Sequence, residues 1–481
     1  MVEVQEQQPP EVLTEVPAIN SINSGFIGTV QERRAFHRFR LRTVVVFAGG
    51  SEGDFWTDLV LRAATTESVI REAVIALGTL HEAYEECEGR YDQALLTSSS
   101  YREAAVLYIR AIHHLYQRID TVSGESANLA IIASILFACF EVLRRDNMAA
   151  VMHYQNGMRQ LMKQMHDREQ GLLEQPFTVS KKQPVVAHRP RDDLDRMLRV
   201  FARYDIQACT FSKPKAEALA IDLATLPAHD VGLMEVRRYL DNLLIAVYQL
   251  VKSDLSLFRY WHRDEVSVAW LEKRDEALTT FKEWLELLES SIPPDSVTLQ
   301  NHGVVASKSI LGLILQVKIA IIMLQTCIDC GPESTYDELY SIFEEMVSRV
   351  EKMTSTLGLK PAEPLGRESV PFSMELGVVH PLFFIAWKCR DRKLRRRAIQ
   401  ELKKCGKEGV WEGPVMAVMV ERIVAIEEHG VEADGQIPER QRIHDIRKAV
   451  EYDERAIKVE MRLAQDDTWK NWTVIREAIP F

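Results

Sequence analysis

The sequence has no excess of positive charge. Its 481 residues include 59 lysines and arginines against 70 aspartates and glutamates, which gives a formal net charge of −11. A protein that binds nucleic acid over a broad surface needs clustered Lys and Arg side chains that displace counterions from the phosphates. The composition therefore excludes a chain that is a DNA-binding module throughout, and leaves only local basic segments to consider.

Low-complexity segments, a secretory signal and long uninterrupted apolar runs are also missing. The 22 glycines and 18 prolines are too few for a low-complexity or collagen-like protein. The N-terminus, MVEVQEQQPPEVLTEV, is acidic and lacks the apolar core of a signal peptide. The apolar runs at 127–143 and 310–324 contain polar residues and are shorter than the roughly 20 residues of a membrane span. We expect two buried helices there, and no membrane contact.

Cysteines are few and scattered. The seven residues are Cys87, Cys139, Cys209, Cys327, Cys330, Cys389 and Cys405. Their odd number and mostly apolar surroundings are typical of reduced thiols in a cytosolic or nuclear protein.

Helical periodicity dominates what is present. Apolar residues recur at steps of three and four over 69–84, 100–117 and 233–251, whereas 127–143 is apolar all round. Further helices are predicted at 194–211, 270–288, 310–328, 336–353, 381–404, 415–428 and 439–465. No segment shows a clear period-two alternation, so a substantial sheet is not expected. The predicted fold class is all-α, a large multi-helix bundle-like domain.

The composition along the chain predicts four parts. Residues 1–30 are polar and rich in proline, which indicates a flexible N-terminal lead-in. A first helical lobe occupies 31–165, and the charged, proline-containing segment 166–192 is interpreted as a linker or exposed loop. The second helical lobe occupies 193–481.

No coherent catalytic, cofactor-binding or metal-binding set is found. The chain has no Gly-rich phosphate loop, no Gly-x-Ser-x-Gly elbow, no His-Glu-x-x-His and no paired Glu-x-x-His motifs. Cys327 and Cys330 have the spacing of a redox or half-zinc site, but no second ligand pair or βαβ context accompanies them. We interpret them as ordinary thiols near a helix end.

Acidic and histidine clusters have similarly simple interpretations. Asp192, Asp193 and Asp195 are similar to the acidic runs that bind magnesium–diphosphate in helical terpene enzymes. They fall where a linker meets a helix, however, and carboxylates suit a helix N-terminus. The histidines His113, His114 and His380 are interpreted as helix-surface or helix-end residues.

Two basic stretches could contact phosphates. Their residues are Arg33, Arg34, His37, Arg38, Arg40 and Arg42 in the first, and Arg390, Arg392, Lys393, Arg395, Arg396 and Arg397 in the second. Such runs are more often the solvated or ion-paired face of a helix, and the acidic residues elsewhere can supply partners. The second stretch also fits a nuclear-import signal.

An ordered series of sequence strings resembles a known family. The first is Asp54-Phe55-Trp56, followed by the string VIREAVIALGTLHE at 69–82, YIRAI at 108–112, LFACFE at 136–141, HYQNGM at 153–158 and FARYDIQA at 201–208. Near the C-terminus follow GVVHPLFF at 377–384, CRD at 389–391, RRRA at 395–398, EGVWEG at 408–413 and IEE at 426–428. In order and spacing, over about residues 31–460, the series resembles the regulatory domain of fungal zinc-cluster transcription factors.

Several of these residues have predicted packing roles. His81 and Glu82 should close a buried hydrogen-bond network, since buried polar groups need partners. Gly157 should allow close helix packing or begin a helix end. Arg203 and Asp205 are two apart on a helix, so each needs a partner elsewhere. Pro381 suits a first helical turn, with Leu382, Phe383 and Trp387 then facing the core.

The resemblance implies a nuclear transcriptional regulator and not an enzyme. Family members carry, ahead of this region, six cysteines that hold two zinc ions, but no cysteine precedes Cys87 here. We therefore expect either a regulator without its own DNA-binding module or a missing upstream exon. We expect protein partners or a homodimer, indirect or weak DNA contact, room for a small-molecule effector, no metal or other cofactor, and control of a secondary-metabolite pathway. The alternatives are a helical enzyme of the terpene-cyclase or prenyltransferase type and a cytosolic helical scaffold.

Overall fold

The protein is mostly helical. The computed structural model describes residues 28–48, 53–87, 93–119, 125–171, 185–186, 190–211, 220–221, 239–245, 247–248, 259–291, 299–328, 331–358, 372–432 and 435–481. Within these ranges the α-helices are α1 Val30–Arg38, α2 Val44–Ala48, α3 Leu61–Thr66, α4 Ser68–Glu86, α5 Gln93–Thr97, α6 Ser99–Ile119, α7 Glu125–Leu143, α8 Asn147–Gly171, α9 Asp193–Phe211, α10 Val268–Ser291, α11 Leu299–Gln325, α12 Tyr340–Thr356, α13 Val379–Lys388, α14 Arg392–Lys404 and α15 Gly413–Glu427.

The predicted helices agree with this order except at the C-terminus. The predictions at 69–84, 100–117, 127–143 and 194–211 correspond to α4, α6, α7 and α9. The prediction at 233–251 can be followed only at 239–245 and 247–248, which are helical; its other residues lie outside the described ranges. The segment predicted as one helix at 381–404 is divided into α13 and α14 by an extended stretch at 389–391.

Helix α1 is capped at its N-terminus. Thr29 accepts a hydrogen bond from the Glu32 backbone N–H (3.1 Å), and the Glu32 carboxylate accepts one from the Thr29 N–H (2.9 Å). This reciprocal capping box begins α1 at Val30. Residues 1–27 of the predicted lead-in lie outside the described residues. The first string of the family resemblance, Asp54-Phe55-Trp56, lies in a π-helical segment, Asp54–Val60.

Two large apolar clusters form most of the interior of the described residues, and α11 belongs to both. Its residues Ile310, Ile314 and Val317 lie in a larger cluster with helices α1 to α10. Leu315 and Ile319, on its other face, lie in a second cluster with α12 to α15 and the C-terminal strands. A helix between two cores must be apolar all round, which explains the run predicted at 310–324. The larger cluster contains residues from both sides of 166–192, and the division into two lobes stays a prediction.

The prediction of a C-terminal helix at 439–465 is wrong. This part forms an antiparallel three-stranded sheet in the order β6 Ile443–Glu451, β7 Ala456–Ala464 and β8 Trp472–Pro480. In β7 the residues Ile457, Val459, Met461 and Leu463 are buried and alternate with Lys458, Glu460 and Arg462. Such a period of two is the pattern of a strand with one face in the core. The all-α assignment therefore holds only approximately.

The predicted linker at 166–192 begins too early. Helix α8 continues to Gly171, since Leu161 and Met165 continue its buried face. Val185–Val186, β1, pair in parallel with Ala220–Ile221, β2, whereas residues 172–184 and 187–189 lie outside the described ranges. Two other short pairings join β3 Phe372–Ser373, β4 Lys407–Glu408 and β5 Trp411–Glu412.

Candidate functional site

Two neighbouring cavities lie against α9. They share Tyr204 and Gln207, one helical turn apart on α9, and Met374 from the segment after β3. The first, which we call the polar cavity, encloses about 600 Å³ of empty space including its open side. The second, which we call the apolar cavity, encloses about 510 Å³ on the same basis.

The charged walls of the polar cavity are paired with one another. Arg203 Nη2 donates to Glu375 Oε1 at 2.7 Å, and Arg203 Nε lies 3.4 Å from Asp241 Oδ2. Ser309 Oγ donates to the other Glu375 oxygen at 3.1 Å. The Arg203 guanidinium thus joins α9 to the segment after β3, and its ion pairs stabilise the packing of these two elements.

A neutral histidine lies beside the polar cavity. His380 Nδ1 is 3.0 Å from Gln316 Oε1, and Gln316 Nε2 donates to the Gly377 carbonyl at 2.9 Å. Burial, and after it the charge of Lys448, lowers the pKa of His380 to about 3. The imidazole therefore stays uncharged at neutral pH, and His380 is a buried residue in the first turn of α13 and not a surface residue.

The walls of the apolar cavity carry no charged side chain among the described residues. They consist of Ala138, Val142, Asn147, Ala150, Val151, Tyr154, Tyr204, Gln207, Phe211, Met374 and Val410. Tyr204 Oη is 3.2 Å from Cys139 Sγ, and Tyr154 Oη donates to Asp205 Oδ1 at 3.0 Å. Gln207 Nε2 donates to the Met374 carbonyl. These contacts pair the hydroxyls of Tyr154 and Tyr204 and the amide N–H of Gln207 within the protein.

A buried ionic network lies in the second apolar cluster, at the end of α15. Glu427 accepts hydrogen bonds from Arg390 Nη2 at 2.9 Å, from Arg395 Nη2 at 2.7 Å and from the Ile443 N–H at 2.7 Å. Burial raises the pKa of Glu427, but the charges of Arg390 and Arg395 outweigh it and hold the pKa below its usual value. Glu427 is therefore an ionised carboxylate between two buried guanidinium groups.

The same network extends to Glu333, at the start of the 3₁₀ segment Glu333–Leu339. Lys388 Nζ donates to both Glu333 oxygens at 2.9 Å, and Arg390 Nη1 lies 3.0 Å from Glu333 Oε2. Burial raises the pKa of Glu333, but the cations, Lys388 first, lower it strongly overall. Sequence reasoning missed this residue, because nothing in its local pattern marks it as buried.

The residues with predicted packing roles contact other elements, although His81 and Glu82 have separate partners and do not form one buried network. His81 Nδ1 lies 3.0 Å from Thr43 Oγ1, and Glu82 is paired with Arg34 and Arg38. A Cβ at Gly157 would overlap Ser134 Oγ and the Phe201 ring, so this glycine allows close packing in the middle of α8 and does not end the helix.

Pro381 and its neighbours also lie where predicted. Pro381 is in the first turn of α13, and Leu382 and Phe383 are buried. Trp387 is half-buried, and its indole Nε1 donates to the Ile443 carbonyl at 3.0 Å.

The three aspartates of the acidic run lie at the start of α9. Asp192 Oδ1 accepts from the Asp195 backbone N–H at 2.9 Å, which is a helix cap. Asp195 is buried; burial raises its pKa, but hydrogen bonds from Arg191 and Arg168 lower the pKa overall. Asp193 lies 3.2 Å from Arg62. In the described part of the chain, none of the three lines either cavity.

The cysteine and histidine candidates are not brought together. Cys327 is buried, with its Sγ 3.1 Å from the Leu324 carbonyl, whereas Cys330 lies outside the described residues. His114 Nδ1 is 2.8 Å from Glu72, and His113 is exposed. No group of three or more His, Cys, Asp or Glu residues that could hold a metal ion occurs in the described ranges.

Both basic stretches contact carboxylates. In the first, Arg34, Arg38 and Arg42 pair with Glu82 and Glu85 on α4. In the second, Arg396 pairs with Glu428 at 2.6 Å and Arg397 with Glu351 at 2.7 Å, in addition to the buried Arg390 and Arg395. These are the ion-paired helix faces that such runs most often form.

Comparison with protein-family models, curated proteins and solved structures finds no match to this chain. In the described ranges, no helix is long and apolar enough to cross a bilayer.

Proposed function

We propose that this chain is a transcriptional regulator that acts through a helical regulatory domain of the fungal zinc-cluster type. It regulates by contact with protein partners or a second copy, in the nucleus, and not by catalysis. The observation that carries this proposal is the ordered series of strings between about residues 31 and 460 that resembles the family's regulatory domain.

The contacts between these strings support the proposal. Arg390 and Arg395, from the strings CRD and RRRA, both donate to Glu427 of the string IEE. Glu408 of EGVWEG accepts hydrogen bonds from the N–H groups of Gly377, Val378 and Val379. Strings that are distant in sequence thus contact one another with complementary chemistry, which is expected of the framework of a single domain.

Further pairs extend this framework to the N-terminal half. Gly157, of the string HYQNGM, lies against Phe201 of FARYDIQA and Ser134 of α7. Arg203 of FARYDIQA pairs with Glu375, just before the string GVVHPLFF. All of these roles are roles in packing and ion pairing, and they support a binding domain more than an enzyme.

The charge distribution favours indirect contact with DNA. The net charge is −11, and arginines of both basic stretches are paired with glutamates. Strong nonspecific DNA binding needs Lys and Arg groups that are available to phosphates. We therefore propose that partner proteins supply the DNA recognition, and that the regulated genes belong to a secondary-metabolite pathway.

The terpene-enzyme alternative is less well supported. It needs acidic clusters that face each other across an aromatic cavity, whereas Asp192 and Asp195 are held by arginines and by the start of α9. The scaffold alternative makes no structural prediction that differs from the regulator, and only localisation and transcript data separate the two.

Transcript profiling of a deletion strain, together with localisation of the tagged full chain, tests the proposal. We expect a nuclear signal and a coherent block of genes whose transcription changes and is restored by complementation. Complementation with Glu421→Gln, which alters only a partly exposed ion pair with Lys403, should restore the transcripts equally well. A cytosolic signal with unchanged transcripts would refute the proposal and favour the scaffold.

A further inference from the structure

We propose that β8, the outer strand of the C-terminal sheet, pairs with the same strand of a second copy of this chain. The two strands run antiparallel about a two-fold axis at Ile475 and join two three-stranded sheets into one continuous sheet. The sheet order β6, β7, β8 leaves one edge of β8 without a neighbouring strand among the described residues.

Two hydrogen bonds just beyond the ends of β8 show which backbone groups face this open edge. The Phe481 N–H donates to the Arg455 carbonyl, and the Gln465 N–H donates to the Asn471 carbonyl, each at 3.0 Å. Residues that lie opposite each other in an antiparallel pair alternate between bonded and non-bonded, so the odd-numbered residues of β8 bond to β7. The even-numbered residues therefore direct their N–H and C=O groups to the open edge. They are Trp472, Val474, Arg476 and Ala478.

The open edge of β8 is long and regular. Natural sheets protect such edges with prolines, bulges, short strands or covering elements. The register between β8 and β7 is unbroken, and the one proline of the strand, Pro480, is its last residue. At the opposite edge of the sheet, the N–H and carbonyl of Ile443 are bonded by the side chains of Glu427 and Trp387. The edge of β8 is thus the one that is suited to receive a further strand.

Charge selects the position of the two-fold axis. The axis must pass through a residue, because side chains that lie opposite each other point to the same face of a sheet. An axis at Arg476 or at Glu477 places that residue opposite its own copy, and like charges directly opposite are destabilising. An axis at Val474 or nearer the start of β8 aligns a shorter stretch. An axis at Ile475 aligns residues 472–478 and opposes no like charges.

The aligned side chains are complementary about this axis. Trp472 of one copy lies opposite Ala478 of the other, a large side chain against a small one. Val474 lies opposite Arg476, whose guanidinium comes diagonally beside the Trp472 ring, an arrangement that permits a cation–π contact. The two Ile475 side chains meet on the face that packs against the second apolar cluster. This self-complementarity favours a second copy over an unrelated extended peptide.

The paired strands deepen the proposed function, in which the chain acts through protein partners or a second copy. The role of the dimer in transcription rests on that proposal, whereas the pairing of β8 with itself does not.

Cysteine cross-linking tests the register on the purified full chain. Sedimentation equilibrium should show a dimer, and oxidation of Ile475→Cys should join the two copies by a disulfide between the two residues at position 475. Opposite Cα atoms in a non-bonded antiparallel pair are about 4.5 Å apart, which a disulfide can span. Thr473→Cys, on the same face, should not cross-link, because its two copies would be about 14 Å apart along the strands. Mass spectrometry of the linked peptide distinguishes this disulfide from one formed by the native cysteines.

A proline variant tests the hydrogen bonds. Val474→Pro removes an N–H that faces the open edge and leaves the bonds to β7 in place. It should raise the Kd of the dimer about tenfold, because each copy loses one hydrogen bond to the other. The control is Lys458→Gln on the exposed face of β7, which alters an ion pair with Glu454 and should leave the Kd unchanged. Circular dichroism and a thermal melt establish that each variant is folded.

A chain that stays monomeric at about 100 μM, where a pair with a micromolar Kd is almost fully associated, overturns the proposal. A dimer in which folded Ile475→Cys forms no disulfide at position 475, or in which folded Val474→Pro keeps the Kd of the wild type, places the interface elsewhere and also overturns it. If one of these variants does not fold, the other decides. Failure of the proposed function would appear instead as cytosolic localisation with unchanged transcripts, while the dimer persists.

Discussion

Replacing Glu427 with glutamine should destabilise the C-terminal part of the protein severely. The variant leaves Arg390 and Arg395, both buried, without their shared negative charge. Removing one partner of a buried ion pair costs about 3–5 kcal/mol, because an uncompensated charge remains inside the protein. Since glutamine keeps one acceptor for these donors and for the Ile443 N–H, we expect a value near the lower end.

Hydrogen exchange measured by mass spectrometry is the appropriate assay. A chain of this size is not expected to unfold in one step, whereas exchange reports the opening of individual segments. A loss of about 3 kcal/mol corresponds to a roughly hundredfold faster exchange in peptides from α13, α14 and β6. Peptides from α4 and α6, in the other apolar cluster, should change little.

The matched control is Glu421→Gln on the same helix. Glu421 pairs with Lys403 at 2.7 Å, but both side chains are partly exposed, so the expected loss is below about 1 kcal/mol. Adding Arg395→Met to Glu427→Gln should cost less than the sum of the single changes, because it removes one of the two guanidinium charges that Glu427 neutralises. Exchange rates in Glu427→Gln that match those of Glu421→Gln would refute the assignment of Glu427 as the countercharge.

Three further predictions concern packing, capping and a buried lysine. Gly157→Ala should speed hydrogen exchange in peptides from α7 and α8 by an amount equivalent to about 1–3 kcal/mol, because its Cβ would overlap Ser134 and Phe201; unchanged exchange would contradict the close packing. Glu408→Gln should weaken the cap of α13 by about 1 kcal/mol, which should appear as faster hydrogen exchange at 377–385. Exchange equal to that of the wild type would show that the Glu408 carboxylate does not cap the helix. Burial lowers the pKa of Lys448 from its ordinary value of 10.5 to about 7, and the charge of Asp445 opposes this shift. Between these two pKa values the lysine is protonated in the unfolded state and neutral in the folded state. The unfolded state therefore binds more protons, and the free energy of unfolding rises with pH in this range. Lys448→Met should remove this rise, measured as the urea midpoint at pH 6 and pH 9, and a slope equal to that of the wild type would show that Lys448 does not titrate in this range.

The apolar spacing of most helices was sufficient to locate them. Helices α4, α6, α7 and α9 each show a pattern that is complete within one element, either a single apolar stripe or an apolar surface all round. Such patterns depend on which face of the helix is buried and not on what covers it. The run at 310–324 also indicated a buried helix, but not that two different cores bury its two faces.

The sheet at the C-terminus shows where reading the sequence failed. The alternation over 456–464 is visible in the sequence, but the neighbouring strands alternate less regularly, with a register shift between Ile443 and Asp445. A helical prediction across the whole segment ignored the period of two in β7. The prediction chose the helical period over the strand period of two, although the residues of β7 by themselves show the period of two.

The sequence by itself determined that this chain is mostly helical and rich in acidic residues, because burial on one face and charge are properties of local spacing and composition. It also indicated that Arg203 and Asp205 needed partners elsewhere. Only the tertiary structure decided that Arg203 pairs with Glu375 and that Glu427 lies between two guanidinium groups. Each of these contacts joins residues that are far apart in the chain. The spacing of residues along a sequence does not give the distance between two elements, because only tertiary packing brings them together.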